Sequence, residues 1–116
     1  MSPAAGGQAI APGLIVLCSC PDEASAQRIS LALVSERLAA CVNRLSNVRS
    51  VYRWEGALQD EPEVLLIVKT TAARYQALEM RLKALHPYEV PEIIALPLSG
   101  GAPAYLAWLT AETALT

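Results

Sequence analysis

The chain has 116 residues, a formal net charge of −2, an apolar content of 53% and no phenylalanine. This length predicts one domain with an aliphatic core, and the absence of clustered basic residues argues against a nucleic-acid partner. The longest apolar runs have only the length of a strand, so we expect no membrane span.

Residues 1–13 are rich in alanine, glycine and proline and carry no charged side chain, so we expect a disordered leader rather than a signal peptide. A single domain is predicted over 14–116. The first strand is predicted at Leu14–Cys20, a continuous apolar run that is typical of a strand buried on both faces. Pro21 and two acidic residues then open a helix that we expect to reach about Ala39. The helix carries two apolar stripes, and the second suggests cover by another element or subunit.

The middle of the chain predicts a long hairpin followed by a helix. Apolar and polar residues are interleaved over Cys41–Trp54, a turn is predicted at Gly56–Asp60, and Val64–Thr70 returns as a second central strand. Thr71 is a predicted N-cap for a helix over Ala72–Leu85, because apolar residues recur there at helical spacing along one face.

The segment His86–Glu92, with the sequence HPYEVPE, combines an imidazole, a phenol and two carboxylates with two prolines. Each proline disfavours helical geometry in the residue before it, so the preceding helix must end at His86. A stiff polar loop at the mouth of a buried strand is a common place for a functional site. The alternative is a plain helix stop with solvated glutamates. A strand at Glu92–Pro97 and a last helix from Pro103 complete the chain.

The element order β-α-β-β-α-β plus a terminal helix predicts an α+β, ferredoxin-like fold, with helices on one face of an antiparallel sheet. In that fold Cys41–Trp54 is an edge strand that is long, apolar and only lightly charged. A bare edge of this kind recruits other chains, so we expect identical subunits to cover it in a closed ring.

The cysteines Cys18, Cys20 and Cys41 are odd in number and lack a secretory signal, which indicates a reducing, cytoplasmic compartment. Because Cys18 and Cys20 are two residues apart on a strand, their side chains point to the same face. They do not form a CxxC motif, so structural zinc is not expected. They could equally be two small buried apolar residues.

Six stretches of the chain resemble the CutA family of divalent-cation tolerance proteins, in the family's order and spacing. They are Cys20–Glu23 (CPDE), Leu38–Asn43 (LAACVN), Ser50–Gly56 (SVYRWEG), Glu63–Thr70 (EVLLIVKT), His86–Glu92 (HPYEVPE) and Tyr105–Leu109 (YLAWL). The resemblance covers about Leu14 to Leu109. It implies a ferredoxin-like homotrimer that is similar in shape to the PII signalling proteins, with clefts where subunits meet.

The same resemblance implies a role in tolerance of copper and other divalent metals. Copper ligands in bacterial members are a cysteine at the end of the first strand, which Cys18 matches, and a His-His pair before Pro-Tyr, of which His86 matches the second. Leu85 replaces the first histidine. Thiolate and imidazole suit copper, and Cys20 could add a second thiol. Alternatively, His86 only caps the preceding helix.

A second possibility is a small-molecule sensor or adaptor with ligands in the subunit clefts. The predicted lining residues are Tyr52, Trp54, Lys69, His86, Tyr88 and Glu92. The two aromatic residues of the edge strand would wall the pocket, and Lys69 would meet a negative group. Alternatively, Trp54 fills a subunit contact and Lys69 reaches water. No nucleophile beside a base and no complete phosphate loop is found, so we do not expect catalysis.

Overall fold

A computed structural model describes residues 12–115 of the chain. The elements are β1 (Gly13–Cys20), α1 (Glu23–Ser35), β2 (Cys41–Trp54), β3 (Ala57–Thr71), α2 (Ala72–Leu85), β4 (Ile94–Pro97) and α3 (Pro103–Glu112). Most of the predicted leader, residues 1–11, lies outside the described residues. At its end, the carbonyl oxygen of Pro12 accepts a hydrogen bond from the backbone N–H of Ala72 (2.8 Å).

The four strands form one antiparallel sheet in the order β2-β3-β1-β4. The chain passes from β1 to β2 through α1, and from β3 to β4 through α2. The predicted edge position of Cys41–Trp54 is confirmed, because β2 pairs only with β3 in the described part of the chain. No helix of the described residues is long and apolar enough to cross a membrane.

One face of the sheet carries the core, which we call the helix face. Alternate residues of the two central strands point to it, among them Val16 and Leu66, and they pack against α1 and α2. The predicted apolar face of α2 is confirmed, since Leu78 and Leu82 are fully buried. On the first predicted stripe of α1, Ile29 and Leu33 are also fully buried. On the second stripe, however, Leu31 is 60% exposed, so nothing in the described subunit covers it.

The opposite face of the sheet, which we call the open face, has no helix packed over its centre. Its apolar residues are half-buried or exposed, so the prediction that β1 is buried on both faces is wrong for the single subunit. Registers and side-chain alternation place seven of them together: Ile15, Leu17, Leu45, Leu65, Ile67, Ile94 and Leu96.

The hairpin of β2 and β3 is longer than predicted. The turn is only Glu55-Gly56, with φ of 50° and 80°, rather than Gly56–Asp60. Positive φ at both central residues is the type I′ geometry that matches strand twist. The polar residues that suggested a turn instead lie in β3. A register shift between Leu45 and Val48 bulges β2, and Asn47 has φ of 64° there.

Helix α1 ends at Ser35, four residues before its predicted end at Ala39. Arg37 has φ of 59°, and the N–H groups of Leu38 and Ala39 both bond the Leu33 carbonyl oxygen, which turns the chain toward β2. The predicted N-cap position Thr71 is confirmed for α2, although its side chain makes no capping hydrogen bond.

Candidate metal site and the adjoining cleft

Three potential metal ligands meet at the end of β1. The sulfur atoms of Cys18 and Cys20 and a ring nitrogen of His86 all lie within 4.8 Å of one another. Both thiols are fully buried and His86 is 8% exposed. The two-residue spacing on β1 places both thiols on one face, as predicted; that face is the helix face, and the end of α2 brings His86 to them. Thiolates are soft ligands and imidazole is a borderline one, so this set suits copper better than magnesium or calcium.

Both ring nitrogens of His86 are already engaged by the protein. Nε2 lies 2.7 Å from the carbonyl oxygen of Ser19, and Nδ1 accepts a hydrogen bond from the backbone N–H of Tyr88 (3.1 Å). Because a carbonyl oxygen can only accept, Nε2 carries the proton of a neutral ring. The backbone N–H of His86 also caps α2 on the Leu82 carbonyl oxygen (2.9 Å). His86 therefore offers no free lone pair for a metal in this conformation.

The two thiols form a coupled pair. The hydrogen bond between them, followed by burial, raises the pKa of Cys18 well above its usual range, and the carboxylates of Glu92 and Glu63 add to that shift. The same hydrogen bond lowers the pKa of Cys20. The two thiols therefore titrate as a pair, in which loss of the first proton hinders loss of the second.

The proline-rich segment His86–Glu92 crosses the end of β1 from the helix face to the open face. Beyond the His86 contact, the hydroxyl of Ser19 donates a hydrogen bond to Oε1 of Glu92 (3.1 Å) on the far side of the strand. Ser19 lies between the two cysteines and points away from them. The segment is therefore fastened on both faces of the sheet, and it separates the thiol pair from the cleft beyond.

That cleft lies on the open face, between the proline-rich segment and β2, and has a volume of about 770 Å³. Alternate residues of β2, namely Ser50, Tyr52 and Trp54, line one wall. Tyr88 and Glu92 line the other. The hydroxyl of Tyr52 donates to Oε1 of Glu61 (2.8 Å), which raises the pKa of the phenol.

The side chain of Glu63 borders the cleft and is only 6% exposed. Its Oε2 accepts a hydrogen bond from the Tyr88 hydroxyl (2.6 Å). Burial, and then this bond, raises the pKa of Tyr88 above its usual range. A carboxylate buried beneath a phenol, with no cation beside it among the described residues, is unusual in a core.

The structure brings together most of the residues predicted from sequence. Cys18 and His86 meet at the thiol cluster, while Tyr52, Trp54, Tyr88 and Glu92 line the cleft. Lys69, which was predicted for a cleft between subunits, does not line this cleft within one subunit, because it pairs with Ile15 and Cys41 toward the other end of the sheet.

Sequence reasoning missed the role of Glu63 and offered Cys20 only as a possible second thiol. The available signal for Glu63 was a carboxylate placed directly before the apolar run of β3. The predicted strand begins only at Val64, whereas the observed β3 begins at Ala57, so the sequence did not indicate that Glu63 lies in a strand or is buried.

Comparisons with known proteins agree with this architecture. A family model described as CutA1 divalent ion tolerance protein matches residues 14–112. The chain is 50% identical over 99 residues to the divalent-cation tolerance protein CutA of Thermus thermophilus, covering 85% of this chain and 96% of the relative. It is 46% identical over 99 residues to that of Pectobacterium atrosepticum, covering 85% and 90%. The crystal structure of CutA1 from Oryza sativa superposes with a TM-score of 0.89 at 42% identity, covering 92% of this chain and 98% of that one.

Proposed function

Because the chain belongs to the CutA1 divalent ion tolerance family, we propose that it acts in the response to metal ions by holding a soft ion, copper foremost, on Cys18 and Cys20. The observation that carries this proposal is the convergence of two buried thiols and an imidazole within 4.8 Å at the end of β1.

The donor set fits copper in its reduced, thiophilic state. The thiol pair is preformed on one strand, and a bound ion would supply the charge needed to release the proton that Cys18 holds. Metal ligation by His86 requires that one of its two hydrogen bonds break first. We therefore assign the two thiols as the metal ligands. His86 covers them through its hydrogen bond to the Ser19 carbonyl oxygen.

The test is a titration of reduced protein with Cu(I) in competition with a chelator of known affinity. Cys18→Ser and Cys20→Ser should each weaken binding at least about tenfold, since the loss of a ligand exceeds the loss of an outer-shell partner. Cys41→Ser is the matched control, because this thiol lies outside the cluster. Wild-type affinity in both cluster variants would overturn the proposal.

We also propose that the protein is a cytoplasmic, ferredoxin-like, PII-like homotrimer. The strand order β2-β3-β1-β4 supports the fold, and the open face supports the assembly, because Ile94 is 52% exposed, Leu96 50% and Leu45 42%. Contiguous exposed apolar surface of this kind marks an interface. Free cysteines support a reducing compartment. Sedimentation equilibrium that yields a monomer at micromolar concentration would contradict the trimer.

A second candidate role, which the cleft favours, is that of a small-molecule sensor or adaptor. The cleft has a volume of about 770 Å³, which falls within the range of roughly 300–1,000 Å³ typical of small-molecule sites. We propose binding rather than catalysis for it. Thermal-shift screening with organic cations and acids tests this role, and an absence of any saturable ligand would remove it.

A further inference from the structure

We infer that the cleft binds an organic cation, of the aliphatic polyamine class, against the carboxylate of Glu63 and the rings around it. This inference rests on the second role proposed above, ligand binding in the cleft, and gives that ligand a chemical class. Although the cleft opens on the same face as the proposed subunit contact, none of the seven apolar residues of that contact lines it, and the thiol cluster plays no part in the binding.

The charged side chains that line the cleft are all acidic. Glu63, Glu89 and Glu92 all border the cleft, and no lysine, arginine or histidine of the described residues does so. Lys69, which the sequence predicted would meet a negative group in a cleft between subunits, does not border this cleft within one subunit. An anion would therefore meet like charges in a partly enclosed space, where such repulsion is screened less than at a free surface.

The buried carboxylate of Glu63 has one hydrogen-bond donor and no cation beside it among the described residues. Its side chain is more than nine-tenths buried, and its Oε2 is held by the Tyr88 hydroxyl at 2.6 Å. Its Oε1 has no hydrogen-bond partner in the described part of the chain. A phenol supplies one hydrogen bond and no positive charge, so the desolvated carboxylate is only partly compensated. An ammonium group supplies the two missing features, a second hydrogen-bond donor and a positive charge.

The walls of the cleft are rich in aromatic rings. Tyr52, Trp54 and Tyr88 place three aromatic side chains around the carboxylates. Both tyrosine hydroxyls already donate to glutamates, so what remains for a ligand is mostly ring surface. Aromatic rings attract ammonium groups and pack well against methylene chains. A polyamine presents several ammonium groups joined by methylenes, which matches three carboxylates among rings better than a small hydrated metal ion does.

The experiment measures the fluorescence of Trp54 during titration with spermidine. The chain has two tryptophans, so Trp108→Phe leaves Trp54 as the only indole. The protein is kept reduced and free of metal with a chelator, which separates this test from copper binding. Glu63→Gln removes the charge but keeps an acceptor for the Tyr88 hydroxyl. Glu112→Gln, at the far end of α3, is the control with the same change in net charge.

We expect saturable binding that Glu63→Gln weakens at least about tenfold and Glu112→Gln changes less than about twofold, since the first variant loses a charge-assisted hydrogen bond. An uncharged diol of the same chain length should not bind. If Glu63→Gln does not fold, Glu92→Gln at the exposed rim of the cleft replaces it in the comparison with Glu112→Gln.

Three results would overturn the inference. Equal weakening by both variants would mean that spermidine senses only net charge. Tighter binding of citrate, or displacement of spermidine by Mg²⁺, would keep the cleft as a ligand site but reject its assigned class. No saturable response to any probe would reject both the class and the sensor role.

Discussion

The imidazole Nε2 of His86 lies 2.7 Å from the carbonyl oxygen of Ser19, and this contact fastens the segment after α2 to the end of β1. Since Ser19 lies between the two thiols, the same contact closes the protein over them. The ring therefore has a structural role that it fulfils without any metal. This distinguishes it from Cys18 and Cys20, which bond only each other within the cluster.

Removing the ring should destabilise the protein without abolishing metal binding by the thiols. We expect His86→Ala to lower the free energy of unfolding by about 1–3 kcal/mol, because the Ser19 carbonyl oxygen loses a buried donor. Urea unfolding measures this change. Glu89→Ala, an exposed position on the same segment, is the control and should stay within about 0.5 kcal/mol of wild type. Loss of Cu(I) binding in His86→Ala equal to that in Cys18→Ser would instead make His86 a ligand.

The hydrogen bond from Tyr88 to Glu63 should matter for stability in a way that depends on pH. Tyr88→Phe leaves the buried carboxylate without its donor, so we expect a loss of about 1–3 kcal/mol near neutral pH. The folded-state pKa of Tyr88 is raised, so this phenol stabilises the wild type fully below about pH 10, the ordinary phenol pKa, and progressively less above it. The difference between the two proteins should therefore narrow as pH rises above about 10.

Urea unfolding of both proteins between about pH 8 and pH 11 tests this expectation. The other tyrosines with raised pKa values, Tyr52 and Tyr75, titrate in both proteins, so they cancel in the difference. A constant difference across that range would mean that the phenol is not held by Glu63 in solution.

Sequence patterns predicted the elements well where local chemistry decides them. The bounds of Cys41–Trp54 and Ala72–Leu85 are confirmed to the residue. They failed where the backbone turns through positive φ at residues that are not glycine, as at Arg37 and Glu55. Neither residue type favours that region, so tertiary packing selects it and no local signal marks it.

The candidate site likewise has features that the sequence predicts and features that it does not. That Cys18 and Cys20 share a face follows from strand geometry and was predictable. Their approach to His86, 66 residues beyond Cys20 in the chain, depends on how α2 docks on the sheet, which spacing alone does not fix. The burial of Glu63 depends on the Tyr88 ring closing over it from a separate segment, so the strand sequence could not reveal it.

Two neighbouring threonines at the end of β3 provide a matched pair of substitutions that tests a buried hydroxyl. Thr70 is fully buried, and its hydroxyl donates to the Leu38 carbonyl oxygen at 2.7 Å. Thr70→Val keeps the shape but removes the donor, so we expect a loss of about 1–3 kcal/mol. Thr71→Val is the control, because its hydroxyl has only a 3.5 Å contact with Thr113 and should cost clearly less. The urea midpoints of the two variants show which substitution destabilises the protein more. Equal losses of stability would contradict this expectation.

The thiols should differ in their rate of reaction with an alkylating reagent. Cys41 is partly exposed, whereas Cys18 and Cys20 are fully buried, so one thiol per chain should react quickly in the native protein. All three should react at similar rates in denaturant. Cys41→Ala should remove the fast phase, and Cu(I) should leave that phase unchanged in wild type. Fast native reaction of two or three thiols would mean that the cluster opens readily.

The open face of the sheet should decide the oligomeric state. Leu96 is 50% exposed in the single subunit, so Leu96→Lys adds a charge at little cost to the subunit fold. In an assembly that buries this face the charge would be desolvated, so we expect a shift to monomer in sedimentation velocity. Met80→Lys is the control, since Met80 is 71% exposed on α2, and it should sediment as wild type. An unchanged sedimentation coefficient for Leu96→Lys, with the fold intact by circular dichroism, would place the subunit contact elsewhere and leave the open face as a surface in solution.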